Sequence, residues 1–129
     1  MAEGYFAHQL NHLQSSINVS SAGITALTDS PADPNARNIM QQRGIDISNH
    51  QGRQLTENLV RKTDLILVMT HSHLNVLTRQ FMTAKGKTFL IGHWQDFEVK
   101  DPYTQPSEAF EKVYQQIELA WQDWNTRIL

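Results

Sequence analysis

Apolar positions along the 129 residues fall into helix-like and strand-like groups that succeed one another, and that succession predicts the architecture. Tyr5, Phe6, Leu10 and Leu13 stand near helical spacing, which predicts a helix over Ala2 to Leu13 with one face on a core. Ile17 to Ala22 alternates as a short strand does, with Ile17, Val19 and Ser21 on one side and Gly23 closing it. A polar loop with Asp29, Ser30 and Pro31 leads to Asp33-Pro34, an N-cap carboxylate followed by proline in the first helical turn. Gly44 is placed to end that helix, and Ala36, Ile39 and Met40 form its apolar face.

Thr56 and Glu57 open a further short helix through Leu59 and Val60, and the unbroken run Asp64-Leu-Ile-Leu-Val-Met69 follows. Such a run suits a strand covered on both faces, as in a parallel sheet, and it is expected to be the central strand. A helix over about Ser72 to Phe81, a buried strand over Lys87 to Ile91 and a long helix over about Ser107 to Ile128 complete the pattern. The last carries Phe110, Val113, Tyr114, Ile117, Trp121 and Trp124 at i, i+3, i+4 and i+7 spacing, an aromatic stripe read as core packing. Strand alternating with helix predicts an α/β domain with a doubly wound parallel sheet, a single domain over residues 1–129. Three strands are few for such a sheet, and the chain opens on a helix with no strand ahead of it.

Composition narrows the function classes. A formal net charge of -2, with basic residues scattered among acidic ones, offers no electrostatic stripe for nucleic acid or anionic lipid. No apolar run approaches the roughly 18 residues of a membrane span, and no secretory leader is evident, so a cytoplasmic location without membrane insertion is expected. The sequence contains no cysteine, which removes disulfides, thiolate metal sites and thiol catalysis for these residues.

Few residues are arranged for chemistry. His8 and His12 stand one helical turn apart, the spacing of zinc ligands, but no third ligand accompanies them and a solvated helix face is the favoured reading; no metal and no cofactor are expected. His71 and His73, two apart on a helix, point away from each other. His50 lies in the loop Ser48-Asn-His-Gln-Gly52, where a histidine usually serves as a hydrogen-bonding support. Asp101-Pro102-Tyr103 is the sharpest feature. Proline fixes its own backbone angle and biases Asp101 toward extended geometry, so the carboxylate is held in a defined direction. A held carboxylate suits a general acid and the adjacent ring suits stacking on an aromatic substrate; the same residues also make an ordinary turn before a helix.

The order of motifs adds a resemblance. Met1-Ala-Glu-Gly-Tyr-Phe6, Ser21-Ala-Gly23, Ala32-Asp-Pro34, Gly44-Ile-Asp-Ile47, His50 with Arg53-Gln-Leu55, Asp64 to Met69, Gly92-His-Trp94 and Asp101-Pro-Tyr103 succeed one another as in the low-molecular-weight protein tyrosine phosphatases. Gly-His-Trp with Asp-Pro-Tyr looks like the bacterial members that accompany tyrosine kinases of capsule and exopolysaccharide export. The resemblance implies a three-layer, doubly wound parallel sheet whose site lies at the carboxyl ends of the strands. It also implies that the first strand and the Cys-x5-Arg phosphate loop, which precede the first helix in the family, are missing from this N-terminally truncated chain. In the family that cysteine is the nucleophile and that arginine grips the phosphoryl oxygens.

Carried over residue by residue, Asp101 resembles the general acid, Tyr103 the aromatic wall of the phosphotyrosine pocket, and Leu27 a variable residue at the pocket mouth. Ser21 and His50 match residues that brace the phosphate loop, and position 104 is Thr where some members carry a second aromatic. The implied partner is a phosphotyrosine protein such as a bacterial tyrosine autokinase. The chain alone is expected to be inactive as a phosphatase; a non-catalytic phosphoprotein- or kinase-binding module is the rival. The unfilled strand position between Val19 and Leu67 is expected to invite self-association or marginal folding.

Overall fold

The computed structural model describes residues 1–24 and 31–128, and among these five α-helices and two strands follow one another. They are α1 (Ala2–His12), α2 (Pro34–Gln42), α3 (Glu57–Lys62), β1 (Ile66–Val68), α4 (His71–Gln80), β2 (Thr88–Leu90) and α5 (Ser107–Ile128). Local chemistry sets most of the boundaries. The Asp33 carboxylate accepts the Asn35 N–H at 2.8 Å with Pro34 in the first turn of α2. Thr56 caps α3 by accepting from the Leu59 N–H at 3.2 Å, and Thr70 caps α4 by accepting from the His73 N–H at 3.2 Å. Gly44 follows α2 with φ of +74°, a left-handed conformation that glycine adopts without strain.

β1 and β2 pair in parallel with Leu67 opposite Phe89, and the Ile66 N–H donates to Lys87 O at 2.9 Å while the Ile91 N–H donates to Val68 O at 2.7 Å. Successive strand residues point to opposite faces, so the sheet presents two apolar surfaces. Ile66, Val68 and Leu90 pack with Val60 of α3, Leu77 of α4 and Ala84. Leu67, Met69, Phe89 and Ile91 face the larger core built by α1, α2 and α5. Helices therefore cover both faces, as the three-layer reading requires. Within the larger core Tyr5 meets Tyr114 edge-on at 5.4 Å and Phe6 meets Trp121 at 5.1 Å. Edge-to-face pairs of this kind add about 0.5–1.5 kcal/mol each beyond their burial.

Two strand expectations are corrected. Residues Ile17 to Ala22 form no strand, because a strand exists only through a ladder and no backbone bond links residues 18–22 to another segment among the described residues. Pairing begins only at Gly23, whose N–H donates to Arg53 O at 2.8 Å and whose carbonyl accepts from the Leu55 N–H at 2.9 Å. The apolar run from Asp64 to Met69 yields three strand residues instead of six and is an edge, since β2 is the neighbour it pairs with and its other side carries no strand among the described residues. The second strand is likewise Thr88–Leu90 within the expected Lys87 to Ile91. Both faces of β1 are covered, while one edge has no paired strand among the described residues. Leu67 and Val19, half-buried against the main core, lie beside that opening in the sequence-based reading.

Candidate functional site

The loop that carries Asp101 leaves β2 and is fastened at its start. The buried Val99 donates its N–H to Met69 O, just past the end of β1, at 2.9 Å. Glu98 accepts the His71 N–H at 2.7 Å, so its carboxylate sits on the first turn of α4, and Gln116 of α5 donates to the Glu98 carbonyl at 3.3 Å. These ties place the loop at the carboxyl end of the parallel strands, the end where open α/β sheets build their sites.

Beyond Val99 the loop is shaped by its own residues. Asp101 accepts the Tyr103 N–H on one carboxylate oxygen at 3.0 Å, and the Gln105 N–H donates to Pro102 O at 2.8 Å, which closes a turn around the proline. Asp101 is exposed, and its second oxygen has no hydrogen bond among the described residues, so it is free to meet a substrate atom. The Tyr103 ring is 64% exposed and stands beside it. Thr104 follows with φ of +66°, a left-handed backbone that a β-branched residue adopts only under strain.

Ser21 and His50 meet at a residue that sequence reasoning did not single out. The Ser21 hydroxyl donates to Glu3 Oε2 at 2.9 Å, and His50 Nδ1 lies 3.1 Å from the same oxygen. Glu3 stands in the first turn of α1, so its charge also complements that helix terminus. Arg53 adds a bond from Nε to Ser21 O at 3.3 Å. One half-buried carboxylate thus ties the 21 segment and the 50 loop to the start of α1. The signal available in the sequence was an acid in a first helical turn, which solvent-exposed helices carry equally often. No hydrogen bond joins this cluster to the Asp101 turn among the described residues.

The remaining candidates are dispersed. Leu27 lies outside the described residues. Trp94 is half-exposed under the Arg127 guanidinium, 3.9 Å from the ring centre, and belongs to an aromatic ledge with His93 and Trp124. Gly92 makes that ledge possible, because a Cβ there would lie 2.2 Å from Phe97 O. His8 and His12 are exposed on α1, and no group of three His, Asp or Glu side chains able to hold a metal is found among the described residues. Among the same residues no helix is long and apolar enough to cross a membrane.

Residues 1–129 as a whole match the low molecular weight phosphotyrosine protein phosphatase family. The chain belongs to this family. It is 38% identical over 113 residues to the low molecular weight protein-tyrosine-phosphatase Etp of Escherichia coli strain K12, a match covering 87% of this chain and 76% of Etp. It is 40% identical over 112 residues to the probable low molecular weight protein-tyrosine-phosphatase EpsP of Ralstonia solanacearum, covering 87% and 77% of the two chains. Its fold superposes on the crystal structure of the tyrosine phosphatase Wzb from Escherichia coli K30 in complex with sulphate with a TM-score of 0.91 at 38% identity, over 99% of this chain and 87% of that one. The low molecular weight phosphatase fold is therefore present here with two strands among the described residues and without any cysteine in the sequence.

Proposed function

We propose that this chain carries the acid and the scaffold of phosphotyrosine hydrolysis, and that its 129 residues alone do not turn over. Asp101 supports the first part. Its carboxylate is aimed by Pro102 and the Tyr103 N–H while one oxygen stays open to a leaving group. Tyr103, exposed beside it, offers a face for the substrate ring. Ser21 and His50 act through Glu3 as braces at the start of α1, next to where the family places its phosphate loop.

The second part rests on magnitudes. Phosphate-monoester hydrolysis requires removal of upwards of about 20 kcal/mol from its barrier. A positioned acid supplies about 10²- to 10⁴-fold, only a few kcal/mol. With no cysteine to act as the thiolate, Asp101 falls far short. The biological reading is a cytoplasmic protein whose phosphoprotein partner is a bacterial tyrosine kinase of polysaccharide export; relatives named as protein-tyrosine-phosphatases, such as EpsP, support the phosphotyrosine part of it. The open edge of β1 further supports pairing with a second copy of the chain.

A gain-of-function fusion tests the reading. With a family phosphate loop, Cys-x5-Arg and its leading strand, joined ahead of Met1, the chain is expected to hydrolyse phosphotyrosine, and Asp101→Asn in that fusion to lower kcat by about 10²- to 10⁴-fold. A folded fusion without turnover, or one indifferent to Asp101→Asn, would overturn the assignment.

A further inference from the structure

A cleft of about 380 Å³ opens between the Asp101 loop and the first turns of α5, with Asp101 itself in its lining and apart from the Glu3 brace. Lys100, Gln105, Lys112 and Gln116 contribute to its walls together with Glu98 and Asp101. Four charged side chains line it, two of each sign, and they are not equally available. The Glu98 carboxylate accepts the His71 N–H at 2.7 Å and so faces the positive end of α4. Asp101 is engaged on one oxygen by the Tyr103 N–H. Lys100 and Lys112 are exposed and make no ion pair or hydrogen bond among the described residues. Their ammonium groups, on long flexible stems, can swing over the cleft.

From this arrangement we propose that the cleft is a subsite for acidic residues flanking the target tyrosine, with Lys100 and Lys112 as its specificity-determining cations and Gln105 and Gln116 as amide partners. The proposal rests on the phosphotyrosine reading for the direction of the peptide, which must pass Tyr103 and Asp101 before reaching the lysines. Two ammonium groups across an open cleft suit carboxylates spaced along a chain better than one compact oxyanion, which would need convergent donors.

The test is a titration of the ¹⁵N-labelled 129-residue protein with an unphosphorylated hexaglutamate peptide, with hexalysine and inorganic phosphate as comparison probes. Saturable shifts are expected at the amides of Lys100, Gln105, Lys112 and Gln116 with hexaglutamate alone. Combined Lys100→Gln and Lys112→Gln substitution, conservative at exposed sites, is expected to weaken binding about tenfold with the remaining spectrum superposable, the size expected for two solvated ion pairs. Asp101→Asn is expected to tighten it. Shifts scattered over other lysines, unchanged affinity in the double variant, or phosphate saturating the same amides would overturn the proposal. Because the peptide is unphosphorylated and no turnover is read, failure here leaves the phosphatase reading untouched, and failure of the fusion leaves the titration to be judged by itself.

Discussion

Removing Glu3 is expected to loosen three segments at once, and the cost can be worked from the geometry. The Glu3 carboxylate accepts from the Ser21 hydroxyl at 2.9 Å and meets His50 Nδ1 at 3.1 Å, with the Glu3 and His50 side chains about one-third exposed. A hydrogen bond to a charged group contributes about 1.5–3 kcal/mol when dry and well under that when solvent screens it. Two partly screened bonds sharing one oxygen therefore give about 1–2 kcal/mol, and the loss of an acid from the first turn of α1 adds about 0.3–1 kcal/mol. Glu3→Ala should accordingly destabilise by about 1.5–3 kcal/mol, whereas Glu3→Gln keeps an acceptor and should cost about half as much. Urea unfolding with double-mutant cycles separates the parts, because the helix-end contribution cancels in the coupling. Coupling of about 0.5–1 kcal/mol is expected for Glu3 with Ser21→Ala and again with His50→Ala. Coupling indistinguishable from zero in both cycles would refute the bracket, whatever the single variants cost.

Trp124 donates its indole N–H to Ile91 O at 2.7 Å inside the core, so Trp124→Phe should strand a buried carbonyl and lower stability by about 1–3 kcal/mol in urea melts. Thr104 stands at φ of +66°, and Thr104→Asn should relieve left-handed strain and raise stability by about 1 kcal/mol by thermal denaturation. Burial, then the nearby Glu118 and Tyr114, push the Tyr5 hydroxyl up to about 12, and burial with Glu118 raises Tyr114 as well. The unfolded chain loses these protons first, so the stability they contribute is complete below pH 10 and drains away as pH rises toward 12; Tyr5→Phe should flatten that alkaline decline. The open edge of β1 should make the weight-average mass rise with concentration in sedimentation, and a thermally robust monomer at all concentrations would contradict edge pairing.

The helices were legible because their signals are local. Asp33-Pro34, Thr56 and Gly44 act on backbone groups within one turn, and the α5 stripe from Phe110 to Trp124 is long enough for its period to be unmistakable. The strands were legible only as apolar runs. Whether such a run becomes a ladder depends on a partner distant in sequence, which explains why Ile17 to Ala22 stayed unpaired and β1 shrank to three residues. At the site, the Asp101-Pro102-Tyr103 turn was visible because its bonds span two residues. Glu3 was not, since its partners are 18 and 47 residues away and only the fold brings them together.

The most direct test of the central claim is the rate at which the purified 129-residue protein hydrolyses a phosphotyrosine peptide, measured beside its Asp101→Asn variant. The account predicts no detectable turnover from either, because the roughly 10²- to 10⁴-fold an acid can add leaves most of the barrier standing without a thiolate. Turnover in the ordinary enzymatic range of about 1–10³ s⁻¹ that collapses in Asp101→Asn would contradict it, and would mean that another group in this chain serves as nucleophile.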